Sequence, residues 1–368
     1  MRLDKVFTQS LLLVALLALP QSTRAAEPLI VGGGTAESCT ETALQEAVAV
    51  AAGSGGGTIK FQCGEGPVTI ALAAPLVLPH NMTIDGDGVI TLSRTGFEVE
   101  DLILVEPNST VVVKNITFNR AGGRLGYALI NGGTLTIKDS TFSDNHVTAI
   151  NDGILTVVRC TFSGNGNFTT AGTIWNRGML TVKDSLFSGN KTVAGGGVYN
   201  QGTLEVEGST FDSNKGDGGF GAGGAIHNAG TATIKSSSFV RNNAARGGSI
   251  SNSGTLAVTK SVFDGAGGAE PSNIRNAIAG GGIYNSGEAS VSNSQFVGNV
   301  ATMWGGAVYN LGALRISKSS ITGNTALVDG GGIYTCNGGS GFLCFGSVGT
   351  LELSKTDVTG NTPNDIVP

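Results

Sequence analysis

The sequence predicts an all-β fold, a right-handed parallel β-helix (solenoid) of about eleven coils with a short N-terminal capping helix. The chain is rich in Gly, which supplies 59 of its 368 residues, and poor in charge, since only 13% of the residues are charged. A motif of about 24 residues recurs along most of the chain. Within each copy, apolar and polar residues alternate, which is the periodicity of β-strands and not of helices.

Each repeat begins at an Asn, and the residues that follow it keep a fixed order. A Gly stands two residues after this Asn, apolar residues stand four and six residues after it, and a large apolar residue, usually Phe, stands eleven residues after it. A second Asn follows in most repeats. The repeats begin at Asn131, Asn151, Asn176, Asn200, Asn228, Asn252, Asn285 and Asn310.

This order predicts three short strands in each coil, separated by corners at which Gly or Asn adopts a left-handed backbone conformation. A unit of this length cannot bury its own apolar face, so it must stack on the next unit. We therefore expect the Phe positions to stack inside the solenoid. The two Asn positions are expected to form amide ladders that satisfy buried backbone carbonyls.

The first 25 residues predict a secretory signal peptide. Arg2 and Lys5 precede an apolar run from Leu11 to Leu19, and a stretch of small residues ending at Ala25 is typical of a cleavage site. The apolar run is too short to span a bilayer, and a buried helix is the alternative interpretation. We expect an exported protein, secreted or at the cell surface, that does not insert into a membrane.

Residues 26–57 are predicted to form an N-terminal cap, and residues 58–368 the parallel β-helix repeat domain. The cap contains a helix from Glu41 to Ala52, for which Thr40 is the N-cap and which presents an apolar stripe. Such a helix covers the open end of a parallel stack, where unpaired backbone would otherwise invite another chain. The strand from Thr58 to Phe61 then begins the first coil.

Five Cys residues fit an oxidising compartment. Cys39 and Cys63 flank one segment, and Cys336 and Cys344 flank a short Gly-rich loop, so we expect one disulfide within each couple. Cys160 stands at a repeat position that is otherwise mostly Ser and faces inward, which predicts a buried, unreactive thiol. The Cys residues are not clustered with the His residues, so we predict no metal site and no cofactor.

The overall composition limits the classes of partner. With 40% apolar residues the chain should fold, because disorder requires few apolar residues and a high net charge. Lys and Arg number 22 and Asp and Glu number 27, which gives a net charge of −5. This balance lacks the positive field that holds a phosphate backbone, so no nucleic-acid partner is expected.

Several segments match two short signatures, a Gly-Gly-Ala-[Ile/Val] and a Phe-x-x-Asn. They are Gly224-Ala225-Ile226, Phe142 to Asn145, Phe187 to Asn190 and Phe296 to Asn299. In these segments the chain resembles the repeats of the polymorphic outer-membrane proteins. That resemblance implies a β-helix and leaves the function open, because a fold carries no function without a site. The family resembles autotransporters in ending with a membrane β-barrel, and we expect no such barrel after Asn361.

The N-terminal part carries a second resemblance. The segment from Cys39 to Gly88, which includes Thr83-Ile84-Asp85-Gly86, is similar to the opening coils of secreted pectate-lyase-like β-helix proteins. This resemblance also implies the fold.

One column of side chains is a candidate ligand-binding surface. The residue before each Asn follows an inward apolar residue, so it should point outward. From the third repeat onward this column reads Trp175, Tyr199, His227, Ser251, Tyr284, Tyr309 and Tyr334. We expect a semi-exposed aromatic track, edged by Trp304, whose ring faces bind the sugar rings of a polysaccharide or cell-surface glycan. The alternative is that the rings stack on one another only to stabilise the sheet.

A loop-bearing corner is the candidate catalytic site. Insertions at Lys215–Gly223 and Ala266–Ala279 fall at the same corner, within the densest charge cluster of the chain. The cluster comprises Asp212, Asp217, Arg241, Arg246, Asp264, Glu270 and Arg275. Asp212 and Asp264 occupy equivalent positions two coils apart, a spacing that suits an inverting glycoside hydrolase. A polysaccharide lyase would instead need several convergent acids, and calcium is expected only in that case.

A third class of function is ice binding, which flat β-helix faces with regular Thr can support. Thr134 with Thr136, and Thr231 with Thr233, form Thr-x-Thr pairs. The same columns contain charged residues that interrupt a flat array, namely Glu205, Glu288, Arg315 and Glu352. The leading hypothesis is therefore a non-enzymatic, adhesin-like or glycan-binding extracellular protein. A polysaccharide lyase or glycoside hydrolase is the alternative, and ice binding is remote.

Overall fold

The computed structural model describes residues 27–95, 101–120, 126–166, 172–217, 221–266, 278–338, 344 and 347–368. These residues form a right-handed parallel β-helix with one helix near the N-terminus, which confirms the predicted fold class. The pairings between strands of successive coils are parallel, and apart from a register shift between Asp85 and Ile90 they are in register, so equivalent side chains lie directly above one another. The predicted signal peptide lies outside the described residues.

Twelve described strands form one sheet, which we call the Asn sheet because eight of its strands end in Asn. This number agrees with the predicted count of about eleven coils. The strands are Leu76–Leu78, Ile103–Val105, Leu129–Asn131, Ala149–Asn151, Ile174–Asn176, Val198–Asn200, Ile226–Asn228, Ile250–Asn252, Ile283–Asn285, Val308–Asn310, Ile333–Thr335 and Ile366–Val367.

The remaining long sheet has 23 described strands and bends into two faces. The first face, the central sheet, contains Leu29–Val31, Gly56–Phe61, Thr134–Lys138, Ile154–Val158, Met179–Lys183, Thr203–Glu207, Thr231–Lys235, Thr255–Thr259, Glu288–Ser292, Ala313–Ser317 and Thr350–Ser354. The second face, the Phe sheet, contains Val68–Leu72, Thr141–Ser143, Thr161–Ser163, Leu186–Ser188, Thr210–Asp212, Ser238–Val240, Val262–Asp264, Gln295–Val297, Ser320–Thr322 and Asp357–Thr359. Asn81–Arg94 and Thr110–Asn119 run through both faces.

The bend between the central and Phe sheets is made by one left-handed residue in each coil. Asp139, Arg159 and Asp184 have φ angles of 50°, 51° and 50° at this corner, and the equivalent residues of later coils are also left-handed. Short two-residue strands mark another corner, at Lys191–Thr192, Lys215–Gly216, Asn243–Ala244, Val300–Ala301 and Thr325–Ala326. The coil is therefore three-sided, as the repeat predicts.

The interior is a set of stacked columns. Eight Phe rings form one stack in which neighbouring centroids are 4.5–5.1 Å apart and the planes are within 9° of parallel. The stack comprises Phe118, Phe142, Phe162, Phe187, Phe211, Phe239, Phe263 and Phe296, all at most 1% exposed. Ile321 continues the column. The predicted internal Phe ladder is confirmed.

Both predicted amide ladders are present and fully buried. In the first, which runs from Asn131 to Asn310, each side-chain Nδ2 donates to the Oδ1 of the next Asn at 2.7–2.9 Å. In the second, the equivalent bonds measure 2.8–3.0 Å along Asn145–Asn242 and again along Asn299–Asn361. Ala266 interrupts the second ladder, and its backbone N–H donates to Asn299 Oδ1. Each Nδ2 also donates to a backbone carbonyl, so the ladders satisfy buried corner carbonyls.

Cys160 stands in a column of inward Ser residues. The hydroxyl groups of Ser185, Ser209 and Ser237 each accept from the backbone N–H of the preceding coil, and Cys160 N–H donates to Ser185 Oγ. Cys160 is 2% exposed and has no disulfide partner. Burial raises the pKa of the Cys160 thiol to about 11. The thiolate is the reactive form of Cys, so the raised pKa gives a physical reason to expect a thiol of low reactivity at this buried position.

The N-terminal end is closed by the helix Glu41–Gly53, one residue longer than expected, and Thr40 Oγ1 accepts from Ala43 N–H as its N-cap. Glu41 ties this helix to the first coil by accepting from the backbone N–H of Ala73 and Ala74. A short 3-10 helix, Ala36–Ser38, precedes it. The disulfides Cys39–Cys63 and Cys336–Cys344 are both present as predicted.

The sequence analysis missed the strand Leu29–Val31, which pairs with Gly56–Phe61 ahead of the first full coil. No helix among the described residues is long and apolar enough to cross a membrane.

We expect Asn200→Ala to lower the free energy of unfolding by about 3 kcal/mol. Asn200 accepts from Asn176 and donates to Asn228 Oδ1 and Thr231 O, so the substitution leaves buried polar groups on both neighbouring coils unpaired. Denaturant unfolding measures the change, with Glu205→Ala on the exposed side of the same coil as the control. A loss no larger than that of the control would contradict a structural role for the ladder.

We expect native protein at about pH 8 to resist alkylation by iodoacetamide, because a buried thiol with a raised pKa forms little accessible thiolate. After unfolding in guanidinium without reductant, one equivalent should be incorporated at Cys160. Mass spectrometry of the labelled protein measures this, and Cys160→Ser protein is the control that should take up none. Rapid labelling of the folded protein would show that the site opens.

Candidate functional site

The predicted aromatic column lies on the outer side of the Asn sheet. Its members are adjacent on successive strands in the order Trp175, Tyr199, His227, Ser251, Tyr284, Tyr309 and Tyr334. Ser251 is 4% exposed and carries no ring, so it divides the column. The result is a group of three rings on one side of Ser251 and three Tyr rings on the other, to which Trp304 from the adjacent corner adds a fourth.

We call the first group, Trp175, Tyr199 and His227, the aromatic patch. All three side chains are half-buried. Trp175 meets Tyr199 edge to face with centroids 6.1 Å apart, and Tyr199 stacks on His227 at 4.9 Å. The patch therefore presents apolar ring surface to solvent from strands whose backbones are fixed in the sheet.

Polar groups surround Trp175. Its indole Nε1–H donates to Gln201 Oε1 at 2.9 Å, and the guanidinium of Arg177 lies over the ring at 5.2 Å from its centroid. Arg177 is held by a two-point ion pair with Asp152 on the preceding coil. Apolar ring surface thus adjoins an amide, a cation and a carboxylate.

His227 is the least solvated polar member of the patch. Its Nδ1 is buried and has no hydrogen-bond partner among the described residues. Burial lowers the pKa of His227 below its usual value of 6.5. The imidazole is therefore neutral at physiological pH, and the patch carries no charge of its own.

We call the second group, Tyr284, Tyr309, Tyr334 and Trp304, the aromatic cluster. Tyr284 and Tyr309 are 8% and 1% exposed, so the expectation of a semi-exposed track was wrong for these two residues. The Cys336–Cys344 disulfide covers part of Tyr309, whose hydroxyl lies 3.0 Å from Cys336 Sγ and 3.5 Å from Cys344 Sγ, and Tyr284 stacks on Tyr309 with ring centroids 5.4 Å apart. Burial raises the pKa of both Tyr284 and Tyr309.

Trp304 packs beside this cluster as expected, 6.4 Å from the Tyr309 ring and 6.2 Å from the Tyr334 ring. Tyr334 stacks on Tyr309 at 5.5 Å, and Arg246 lies over the face of Tyr284. Trp304 and Tyr334 remain half-buried. These contacts make the cluster a small hydrophobic core outside the coil.

The acids of the candidate catalytic corner occupy equivalent positions, as expected, and Asp212 is engaged by a neighbouring Arg. Asp212 and Asp264 flank Val240 in register, two coils apart. Both carboxylate oxygens of Asp212 accept from Arg241 Nη2 at 2.7 Å, and Ser213 Oγ donates to the same carboxylate. Asp264 is exposed.

Other members of the charge cluster are dispersed. Asp217 pairs with Lys191 at 2.8 Å. Arg246 forms β-bridges to Ala222 and to Ala279, which lie at the ends of the two insertions. Both insertions therefore fall at the same corner, as expected. Glu270 and Arg275 lie outside the described residues. No group of three or more His, Cys, Asp or Glu side chains converges in the part of the chain that the structure describes.

Two features of these surfaces escaped the sequence analysis. The aromatic column continues toward the N-terminus as the apolar residues Ile150, Ile130, Leu104 and Val77. Leu104 and Val77 belong to coils that precede Asn131, so alignment on the Asn residues did not reach them. The repeat pattern also gave no indication that Tyr309 is buried, because Cys336 and Cys344 have no counterparts in the other repeats.

Comparison with known proteins agrees with the architecture. Residues 101–263 match the family model described as a right handed beta helix region. No curated protein matches the chain.

Several solved structures are similar at low identity. The A-module of the mannuronan C-5 epimerase AlgE4 from Azotobacter vinelandii is 14% identical with a TM-score of 0.46, over 92% of this chain and 95% of that chain. The catalytic unit of a thermostable alpha-1,3-glucanase from Streptomyces thermodiastaticus is 14% identical with a TM-score of 0.46, over 93% and 71%. A tailspike capsular polysaccharide depolymerase of an Acinetobacter baumannii bacteriophage is 12% identical with a TM-score of 0.45, over 94% and 62%.

We expect the protein to lose stability as pH falls from about 7.5 to 5.5, in part through His227. Because the folded-state pKa of His227 is lowered, the unfolded chain takes up a proton at higher pH than the folded chain does. The free energy of unfolding therefore decreases as pH falls from about 6.5, the pKa of His in the unfolded chain, to the lower pKa of His227 in the folded protein. Thermal unfolding at both pH values should show a smaller shift for His227→Gln than for wild type. A His146→Gln control, at an exposed His, should keep the wild-type shift, and equal shifts in all three proteins would contradict this assignment.

Proposed function

We propose that this chain is an exported, non-enzymatic glycan-binding protein whose aromatic patch contacts sugar rings. The observation that carries the proposal is the half-buried group of Trp175, Tyr199 and His227 on three adjacent strands of the Asn sheet. Such a protein is adhesin-like in the sense that it holds a surface or extracellular polysaccharide without cleaving it.

The chemistry of the patch suits a pyranose. One face of a sugar ring is lined by C–H groups, which pack on aromatic surface, while its rim carries hydroxyl groups that need hydrogen-bond partners. Gln201, Arg177 and Asp152 lie around Trp175 and can supply those partners. The neutral His227 and the balanced Arg177–Asp152 pair favour an uncharged sugar over a strongly acidic one.

The β-helix also suits this role mechanically. Strands of successive coils lie about 4.8 Å apart, so the three rings of the patch extend over about 10 Å along the rod. Their backbones are fixed by the ladder of Asn176, Asn200 and Asn228 directly after them. A rigid surface loses little conformational entropy when it binds a ligand.

An extracellular location accompanies the proposal. The chain carries two disulfides, which persist in oxidising compartments, and its first residues have the layout of a signal peptide. An exported protein meets polysaccharides at cell surfaces and in secreted matrices. The enzymatic alternative is not adopted, because Asp212 is engaged by Arg241.

We expect Trp175→Ala to weaken glycan binding roughly tenfold, because an aromatic contact contributes about 1.5 kcal/mol beyond area burial. The measurement is the affinity of the mature protein for a panel of neutral and acidic polysaccharides, by glycan array followed by calorimetry on the best ligand. Met179→Ala, an exposed apolar side chain on the central sheet, is the matched control and should bind like wild type.

The same panel tests the absence of catalysis. Reducing ends and unsaturated products are measured with and without calcium, and none is expected. Product release that Asp212→Asn or Asp264→Asn abolishes would replace the binding proposal with the enzymatic one. Equal affinities of wild type, Trp175→Ala and Met179→Ala would mean that the patch is only structural.

A further inference from the structure

A regular array of Thr and small side chains covers the N-terminal half of the Phe sheet. The pairings place Thr69, Thr91, Thr117, Thr141 and Thr161 in one unbroken column over five coils. Two residues further along each strand lies a second column of Ala71, Ser93, Asn119, Ser143 and Ser163. We call these two columns the Thr array.

The array stands on a rigid base. Between Thr141 and Ser143 the chain turns the Phe142 ring inward, and this ring stacks on Phe118 at 4.5 Å and on Phe162 at 4.7 Å. The backbones beneath Thr91, Thr117, Thr141 and Thr161 are paired on both sides in register, and that of Thr69 is paired on one side. Thr is β-branched and stiff at χ1, so hydroxyl and methyl groups recur at the coil spacing of about 4.8 Å.

The hydroxyl groups of the Thr column are available to an external partner. Among the described residues, none of these five hydroxyls hydrogen-bonds to another protein group, whereas the amide of Asn119 in the second column donates to Ser143 Oγ. The side chains are half-buried or exposed. Neither column contains a charged residue over these five coils. In the C-terminal half of the same face, Asp212, Asp264 and Asp357 interrupt the columns.

The Thr array lies on the Phe sheet, whereas the Thr-x-Thr pairs identified in the sequence lie on the central sheet. On the central sheet, charged residues stand next to Thr and Ser in the same columns. Glu205 follows Thr181, and Glu288 follows Thr255. Arg315 and then Glu352 follow Ser290. Those charges interrupt the central face, as the sequence analysis expected. The Thr array was hidden because its first three coils, which carry Thr69, Thr91 and Thr117, precede the Asn-anchored repeats.

We propose that the Thr array binds the surface of ice. An ice surface is an uncharged, repeating lattice of hydroxyl-like donors and acceptors, and the array is an uncharged, repeating lattice of hydroxyl and methyl groups. The methyl groups hold water away from the backbone while the hydroxyls fix its position, so ordered water on the face can merge with the crystal. This activity uses a different face from the aromatic patch and is independent of glycan binding.

The test is inhibition of ice recrystallisation by the purified mature protein, together with its partition into a slowly grown ice hemisphere. Thr141→Lys places a long charged side chain within the Thr column. Gln295→Lys places the same side chain in the equivalent column of the C-terminal half, where Gln295 is exposed, and serves as the matched control. Thr117→Lys is a second array variant, and far-ultraviolet circular dichroism confirms that each variant is folded.

We expect wild type and Gln295→Lys to enter the ice and to inhibit recrystallisation, and both array variants to lose these activities. Exclusion of the wild-type protein from ice would overturn the proposal, and so would equal activity in all four proteins. Binding to microcrystalline cellulose without any effect on ice would overturn it in favour of a crystalline polysaccharide. Trp175→Ala should weaken binding to soluble glycans, whereas Thr141→Lys should leave that affinity unchanged. Failure of the ice-binding proposal is therefore distinguishable from failure of the glycan-binding proposal.

Discussion

The whole structure depends on the in-register stacking of coils, which places each side chain directly above its counterpart. A residue in such a column must therefore tolerate a copy of itself at about 4.8 Å on either side. Phe does so by offset stacking, and Asn does so because its amide has both a donor and an acceptor. Like charges repel at this spacing, and opposite charges alternate in the column of Lys183, Glu207 and Lys235, although Lys114 and Lys138 also lie next to each other in register.

The same constraint explains how much could be predicted from the sequence. The Asn and Phe ladders, the Thr40 cap and the Cys160 environment were predictable because each follows from the repeat or from local chain chemistry. The burial of Tyr309 was not, since it depends on the Cys336–Cys344 loop, which has no counterpart in other coils. The position of Asp212 was predictable from register, whereas its two-point engagement by Arg241 depends on a long side chain whose direction register does not set.

Inside and outside columns obey different rules. An inward column must fill a constant volume in every coil, which explains the nearly unbroken series of Phe rings at most 1% exposed. An outward column is limited only by its neighbours in the stack, so the three faces of one rod can differ completely. The Asn sheet presents aromatic rings, the Phe sheet presents the Thr array, and the central sheet presents mixed charges. Separate binding surfaces can therefore coexist on one rigid scaffold without altering its core.

Ser251 shows how one small residue can create a site within such a column. In an unbroken run of rings from Trp175 to Tyr334, each ring would stack on a ring of the neighbouring coil, as Tyr284, Tyr309 and Tyr334 do. Because Ser251 carries no ring, Tyr284 packs into the aromatic cluster, while His227 ends its own stack with Nδ1 unpaired. The aromatic patch is thus left with ring surface that no other part of the described chain covers. The rings of Tyr284 and Tyr309 are thus buried in the cluster, whereas the three rings of the patch stay half-buried.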